Sequence, residues 1–381
     1  MKSFDVAIIG AGVIGASAAF ELASENLRVV VLDRQRPGLE ASWAAAGMLS
    51  PAPDSPRDVP LVPLGIESLK LYPGFVAAVE QMSGRSTGYA ESGALEVFYS
   101  PHGETERDRR VSECNSLGVA AEPMSIDAAR SWEPSIGPAA HAAAWLPDEG
   151  TVEPRLLMDA LIAAAQARGV EFRSDCEVTG PLIDGARCRG VKTASDSISA
   201  AHVVVAAGSF SSRIGGDNDF LARYAPTRPV RGQIVALRPD EMRLQRVLRS
   251  GLGYLVPRRD GRIVAGSTSE EAGYEKRVTP AGIHRILDNA LDLCPALAGA
   301  EILDTWSGLR PGTPDDLPIL GPTDIEGLLI ATGHYRNGIL LSAVTAKLIH
   351  EWVAIGRTSF DTRAFSPMRF AEKNLQVGHA G

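Results

Sequence analysis

Phe4-Asp-Val-Ala-Ile-Ile-Gly10 runs directly into Ala11-Gly12-Val13-Ile14-Gly15, and a stretch of small and apolar residues then leads through Ser24 to Arg28-Val-Val-Val-Leu-Asp33. The first run is apolar, β-rich and ends at glycine, as a strand does when it delivers the chain to a tight turn. Val13 to Ser24 has helix-forming composition, and Arg28 to Asp33 has the unbroken apolar character of a strand buried on both faces. Strand, helix and strand within about thirty residues make a βαβ unit with parallel strands. Gly10 permits the turn, Gly12 lets the backbone approach a pyrophosphate, and Gly15 lets the helix lie close on the strand, while the helix N-terminus offers free N–H groups to phosphate. Asp33 ends the second strand about twenty residues on, where a carboxylate accepts hydrogen bonds from ribose hydroxyls. Arg34 beside it leaves NAD, FAD and NADP open at this point.

The chain has 381 residues, which at about 150 per domain allows two to three domains and a large core. Lys and Arg number 38 against 46 Asp and Glu, a formal charge of −8 that argues against partners such as nucleic acid or an anionic membrane. Hydrophobic residues at 45% and charged residues at 22% indicate a globular protein rather than extended disorder. Cys114, Cys176, Cys188 and Cys294 have neither zinc nor disulfide-framework spacing and are read as free thiols. The chain passes from Lys2 almost straight into the first strand and has no run of about 18 apolar residues, so a cytoplasmic location is the expectation.

Farther along, residues 37–63 are rich in Ala, Gly, Ser and Pro and read as an irregular stretch wrapped over a ligand or interface. Pro154 opens a helix whose apolar positions Leu156, Leu157, Ala160, Leu161, Ala164 and Ala165 repeat at helical spacing up to Gly169. Arg189 to Ser199 alternates as a β-ribbon, and His202-Val-Val-Val-Ala-Ala-Gly208 is another apolar strand ending in glycine. Val230 to Ser267 reads as several strands with a turn at Arg259-Asp-Gly261, Leu328 to Gly333 as a buried strand, and Ile339 to Ile355 as a long helix. Ligand-facing glycines thus recur near residues 10, 208 and 333–338. One long cofactor lying across the molecule accounts for that spread, and FAD fits because its flavin must reach a second domain while its ADP end stays on the first βαβ unit. The expected fold is α/β: a discontinuous, Rossmann-like FAD-binding domain from residues 1–85, 146–222 and 300–381. An inserted, mainly antiparallel β-sheet domain from residues 86–145 and 223–299 would bind the substrate.

The sequence also resembles the D-amino-acid oxidase family of FAD-dependent oxidoreductases, in its glycine oxidase branch, over nearly the whole chain. The resemblance rests on Gly10 to Gly15, Ser42-Trp-Ala-Ala-Ala-Gly-Met-Leu-Ser-Pro51, the strand ending at Gly208, Trp306-Ser-Gly-Leu-Arg-Pro-Gly312 and Thr332-Gly-His-Tyr-Arg-Asn-Gly338. It implies that Val13, Ile14, Asp33 and Arg34 line the ADP half of FAD, that Val178 offers backbone to the adenine, and that Ala41, Ser42, Ala46, Gly47 and Met48 pass along the ribityl chain and flavin. His334, Tyr335, Arg336, Asn337, Gly338, Ile339 and Leu340 would run under the flavin pyrimidine, where the following helix's N-terminus favours negative charge on the reduced ring. Substrate residues would be Tyr254, Arg310 and Arg336, and Ser269, replacing a bulkier residue of relatives, would leave a roomier pocket. The implied reaction is oxidative deamination of glycine, sarcosine or small D-amino acids to a 2-oxo acid, with ammonia or amine and, through dioxygen, hydrogen peroxide. A link to thiamine thiazole synthesis through the imine and a homotetrameric assembly are implied as well. A dehydrogenase with a different electron acceptor, or a nucleotide-binding module without redox chemistry, are the competing readings.

Residue chemistry agrees with the substrate class. A guanidinium meets a carboxylate through two parallel, charge-assisted hydrogen bonds, and Arg310 in its Gly- and Pro-rich setting is the candidate clamp, with Tyr254 as a phenolic donor and Arg336 as a second cation. His102, His141, His202, His284, His350 and His379 have no partners at metal spacing, so no metal site is expected. Ser209 and Ser211 form no nucleophile elbow. No cysteine lies near Arg310 and no histidine lies in residues 41–51, so the FAD should be noncovalent. Acid precipitation is expected to leave the yellow flavin in the supernatant; flavin retained in the washed pellet would show a covalent link.

Overall fold

The computed structural model describes residues 3–25, 27–215 and 220–371, so His379 lies outside the described residues. The opening unit is present as β1 (Ser3–Ile9), α1 (Val13–Leu22) and β2 (Val29–Leu32), the two strands parallel with Ile9 level with Leu32. The stretch 37–63 is less irregular than its composition suggests. It holds the short α2 (Ala41–Ala44) and β3 (Met48–Leu49), then leads into α3 (Val62–Ser83), a 22-residue helix hidden from sequence reading by its internal Pro73 and two glycines. Tertiary burial of Leu64, Ser68, Tyr72, Val76 and Val79 overrides those local breakers.

The middle of the chain supplies β4 (Ala94–Phe98), α4 (Gly103–Ser116), β5 (Glu122–Ser125), α5 (Ile126–Trp132), β6 (Ala142–Leu146), β7 (Gly150–Thr151) and α6 (Pro154–Ala167). Next come β8 (Glu171–Arg173), the ribbon β9 (Val178–Asp184) and β10 (Arg187–Thr193), and β11 (Ser197–Val205). Then follow β12 (Arg228–Arg238), β13 (Val247–Ser250), β14 (Gly253–Pro257), β15 (Ile263–Gly266) and α7 (Pro280–Leu293). The chain closes with β16 (Glu301–Gly312), β17 (Ile319–Pro322), β18 (Leu328–Thr332) and α8 (Gly338–Ala354).

Two large sheets result. In the first, the order β17-β18-β11-β1-β2-β8 brings both ends and the middle of the chain together, with β10 and β9 extending from β11. Because side chains alternate across a strand, Val6, Ile8 and Val31 pack on α1, α3, α6 and α8, while Ala7, Ile9 and Val30 face the β9–β10 side. In the second, the order is β16-β12-β15-β14-β13-β4-β6-β5. Its outer layer is α7, whose Ile286, Ala290 and Leu293 meet Val235 and Leu255. One boundary drawn from the sequence needs correction: β16 pairs antiparallel with β12 from Arg228–Gly312 to Arg238–Glu301, so residues 301–312 belong to the second sheet rather than with the rest of 300–381. Glycine periodicity marked the segment's ligand contact, but strand partnership is a long-range property.

At Gly15 a Cβ would overlap the Gly10 carbonyl and stand 3.2 Å from Ile8 Cγ2. Gly15→Ala is therefore expected to lower stability by about 1–3 kcal/mol through overpacking. A urea midpoint equal to that of the parent would show that the helix–strand contact can relax.

Candidate cofactor and substrate site

The carboxyl ends of β1, β2, β11 and β18 open on one cavity of about 1060 Å³, whose opposite wall comes from the second sheet. Ligands of open α/β sheets sit outside such strand ends. Gly10 turns the chain at φ 102°, where a Cβ would lie 2.5 Å from the Ala206 carbonyl oxygen. Gly12, Val13 and Ile14 then bring the N-terminus of α1 to the cavity, and its first turn carries no acidic residue. Ser42 Oγ accepts the Val13 N–H at 2.9 Å and so ties residues 41–48 to the same end of the helix.

Asp33 Oδ2 accepts the Ala11 N–H at 2.8 Å and Oδ1 accepts the Gln35 N–H at 3.0 Å. Burial nevertheless outweighs these two bonds and raises its pKa. Arg34 donates to Glu40 at 2.8 Å and lies 3.5 Å over the Phe210 ring, a cation–π contact on the cavity wall. Ala41, Ser42, Ala46, Gly47, Met48, Val178 and Gly208 all line the cavity. So do His334, Tyr335, Arg336, Asn337, Gly338 and Ile339, which form the approach to α8. That helix, like α1, begins on the cavity with neither a side-chain cap nor an acid in its first turn. His334 Nε2 is 3.0 Å from Thr345 Oγ1, and burial pushes its pKa down to about 3, so the ring is a neutral imidazole. Two expected wall residues stand elsewhere. Gly15 is behind the turn, packed on Gly10, and Leu340 is in the core, where its carbonyl accepts the Ser68 hydroxyl at 2.5 Å.

Across the cavity, Arg310 comes from β16 and Tyr254 from β14, and Arg336 approaches from the first domain's loop. Arg310 Nη2 donates to Ser267 Oγ at 2.7 Å and Nη1 to the Thr268 carbonyl at 3.0 Å. Among the described residues it forms no ion pair with any carboxylate. Burial lowers its pKa, Tyr254 beside it opposes that, and the nearby Arg336 adds to it. Arg336 Nη1 lies 3.4 Å from Asp54 Oδ2; burial lowers its pKa, but Tyr335 and Asp54 outweigh that and raise it. Ser269 is exposed and does not itself line the cavity, as Ser267 does, but its Oγ is 3.5 Å from the Oη of Tyr335 on the wall.

Several contributors carry no sequence signal. A Cβ on Gly232 would collide with the Arg310 guanidinium, and one on Gly266 would reach 2.5 Å from Tyr254 Oη, so both glycines clear space for the side chains that matter. Glu96, Phe98, Phe210, Arg249 and Ser267 also face the cavity. Glu96 and Phe98 share β4, while Phe210, Arg249 and Ser267 come from three other segments, and only the tertiary fold brings them together.

A single cleft on which two helix N-termini and the buried carboxylate of Asp33 converge is the arrangement of a flavin-adenine-dinucleotide oxidoreductase. The chain belongs to the FAD dependent oxidoreductase family, which matches residues 5–352, and its cofactor is FAD. It is 38% identical to the bifunctional protein ThiO/ThiG of Synechocystis sp. over 96% of this chain and 54% of that protein, so it spans about half the length of that curated relative. It is 33% identical to the glycine oxidase of Geobacillus kaustophilus over 97% of this chain and 98% of that one. The crystal structure of glycine oxidase from the same organism superposes with a TM-score of 0.91 at 32% identity, covering 97% of this chain and 99% of that chain.

If Asp33 accepts from the ribose as the sequence suggests, FAD binding should depend on pH. Its pKa is raised above 3.8 in the folded apoprotein, and ribose hydroxyls donate best to the ionised carboxylate. FAD affinity of the apoprotein is expected to fall as pH drops from about 7 toward that raised value, and Asp33→Asn should bind more weakly at neutral pH without the slope. Fluorescence titration of FAD into apoprotein measures both, and a slope that survives Asp33→Asn assigns it to another group.

Proposed function

We propose that the protein oxidises glycine and comparable small amines, including sarcosine and small D-amino acids, to the 2-oxo acid with release of ammonia or amine and formation of hydrogen peroxide. The observation that carries this reading is Arg310: a guanidinium in the cavity wall with two donors spent on Ser267 and Thr268 and no carboxylate partner among the described residues. Such a cation is costly until an anion reaches it, and an α-amino acid brings one. FAD, when bound, supplies the two-electron acceptor that dioxygen reoxidises.

Gly10, Gly12, Val13, Ile14, Asp33, Arg34 and Val178 would hold its ADP half. Ala41, Ser42, Ala46, Gly47 and Met48 would hold the ribityl chain and flavin, and Gly208 and residues 334–339 would complete the wall. Arg310 binds the substrate carboxylate through its remaining donors, Tyr254 contributes a phenolic hydrogen bond, and Arg336 adds positive potential from the opposite wall. Holding the carboxylate at two points leaves only rotation about one bond to place the amine and α-carbon, so orientation supplies much of the catalysis. His334, neutral and engaged with Thr345, adds no charge near the substrate. The glycine oxidase and ThiO/ThiG relatives support glycine as substrate and a place beside thiazole synthesis, where the imine would be the product used.

A peroxide-coupled assay with glycine, sarcosine, D-alanine and D-proline tests the reading. Peroxide is expected with glycine, and Arg310→Met should raise its KM by roughly 30-fold or more, since removing one side of a buried charge contact costs about 2–5 kcal/mol. Flavin bleaching without peroxide would point to a dehydrogenase, and an unchanged KM in Arg310→Met would take Arg310 out of the site.

A further inference from the structure

A buried arginine behind the cavity wall reaches the segment that would hold the flavin. Side chains alternate along a strand, so β14 presents Tyr254, Val256 and, just past its end, Arg258 on one face. Tyr254 and Val256 pack in one cluster with Ala44, Ala46 and Met48. Arg258 continues the row: Nη2 donates to the Ala46 carbonyl at 2.6 Å and Nη1 to the Val152 carbonyl at 3.2 Å. Its Nε lies 3.0 Å from Glu153 Oε2, and both side chains are shielded from water, at 6% and 13% exposure. The β14–β15 hairpin fixes its root, since the Arg258 N–H donates to the Arg262 carbonyl at 2.8 Å.

The Ala46 carbonyl shares a peptide plane with the Gly47 N–H. In a trans peptide the two groups point in opposite directions, so a carbonyl turned toward Arg258 turns the Gly47 N–H away from it. Gly47 lines the cavity, and among the described residues no acceptor meets its N–H. The next peptide is fixed as well. The Gly47 carbonyl accepts the Val152 N–H at 2.8 Å, its φ is 77°, and a Cβ there would collide with the Val152 carbonyl oxygen. A charged donor on a carbonyl polarises the whole peptide and makes its N–H a stronger donor. A neutral donor would join the two segments at less cost, because a guanidinium taken out of water is expensive even when paired. The charge therefore has a use beyond fastening.

We propose that Arg258 is a positioning residue for the cofactor, holding the Ala46–Gly47 peptide so that a polarised Gly47 N–H donates to the flavin ring of FAD. This rests on residues 41–48 holding the ribityl chain and flavin. Negative charge builds on a flavin as it takes up electrons, and a preorganised donor beside the ring favours that charge. Arg258 thus raises the electron affinity of the ring without touching it. The same strand carries Tyr254, so β14 sets the substrate phenol and the flavin donor from one origin.

Three probes separate this role from a structural one: FAD and ADP binding to apoprotein, read by fluorescence titration and competition, and sulfite binding to FAD-saturated enzyme, read by bleaching of the flavin. Sulfite adds to the oxidised ring and leaves negative charge on it, so its affinity reports how well the site supports that charge. Arg258→Met is expected to weaken FAD and sulfite by about tenfold each, while ADP stays within about twofold because α1 and Asp33 hold that half. Arg258→Lys keeps the charge on a single donor head and should recover part of the sulfite affinity. Sulfite affinity equal to the parent's in Arg258→Met overturns the proposal, and so does an equal loss of ADP and FAD, the result of a general loosening of the fold. Where Arg258→Met does not fold, Arg258→Lys decides: sulfite weakened about threefold or more with ADP unchanged supports the role, and unchanged sulfite overturns it. None of the probes needs an oxidisable amine. A protein that behaves as expected here yet oxidises none of the amines would refute the proposed activity and leave the role of Arg258 standing.

Discussion

The guanidinium of Arg310 stands at the end of the cavity with Ser267 and Thr268 on two of its donors and no described carboxylate to neutralise it. An ion taken partly out of water without a partner is tolerated only where the surrounding structure is stable enough to hold it and a ligand completes it. Several residues of the second sheet leave room for it and hold its origin. Gly232 makes room for the side chain, Gly266 makes room for the neighbouring phenol, and β16 lies along β12 for its whole length so that Arg310 has a fixed origin.

Arg310 has a function only if the cofactor wall faces it, and the two sheets are joined at that wall by side-chain bonds to backbone. Trp306 Nε1 donates to the Ala44 carbonyl at 3.1 Å, and Arg258 donates to the Ala46 carbonyl at 2.6 Å and the Val152 carbonyl at 3.2 Å. Ser50 Oγ meets Arg249 and donates to Glu149 at 2.6 Å. Residues 44–50 are thus gripped from the substrate side while Ser42 grips the start of α1 from the cofactor side. A segment with little regular structure of its own is held by donors from both domains, so its position reports on both. Arg155 stacks 3.6 Å over Trp43 and 4.6 Å over Trp306, which adds weight to the same junction.

Much of the first domain was legible because its signals are local. Gly10, Gly12 and Asp33 have meaning within one βαβ unit, and the structure places all three on the cavity. The α6 helix was legible from its spacing, starting at Pro154 and ending just before Gly169. Helix α3 was not, because Pro73 and two glycines mask its pattern and only burial against α1, α6 and α8 restores it. Gly15 and Leu340 show the limit of motif carry-over: each belongs to a motif at the cavity, yet one packs behind the turn and the other points into the core.

Residues 4–33 by themselves determined a dinucleotide-binding βαβ unit, since strand, turn, helix and carboxylate are all close in sequence and each follows from backbone sterics and helix-end electrostatics. Motifs spread over the chain then narrowed the cofactor to FAD and named Arg310 and Tyr254. Only the tertiary structure decided that β16 belongs to the second sheet, that Ser267 rather than Ser269 lines the site, and that Arg258 reaches the Ala46 carbonyl. Those facts depend on strand register, in which residues far apart in sequence become neighbours, and a shift of one residue would send each of these side chains to the opposite face.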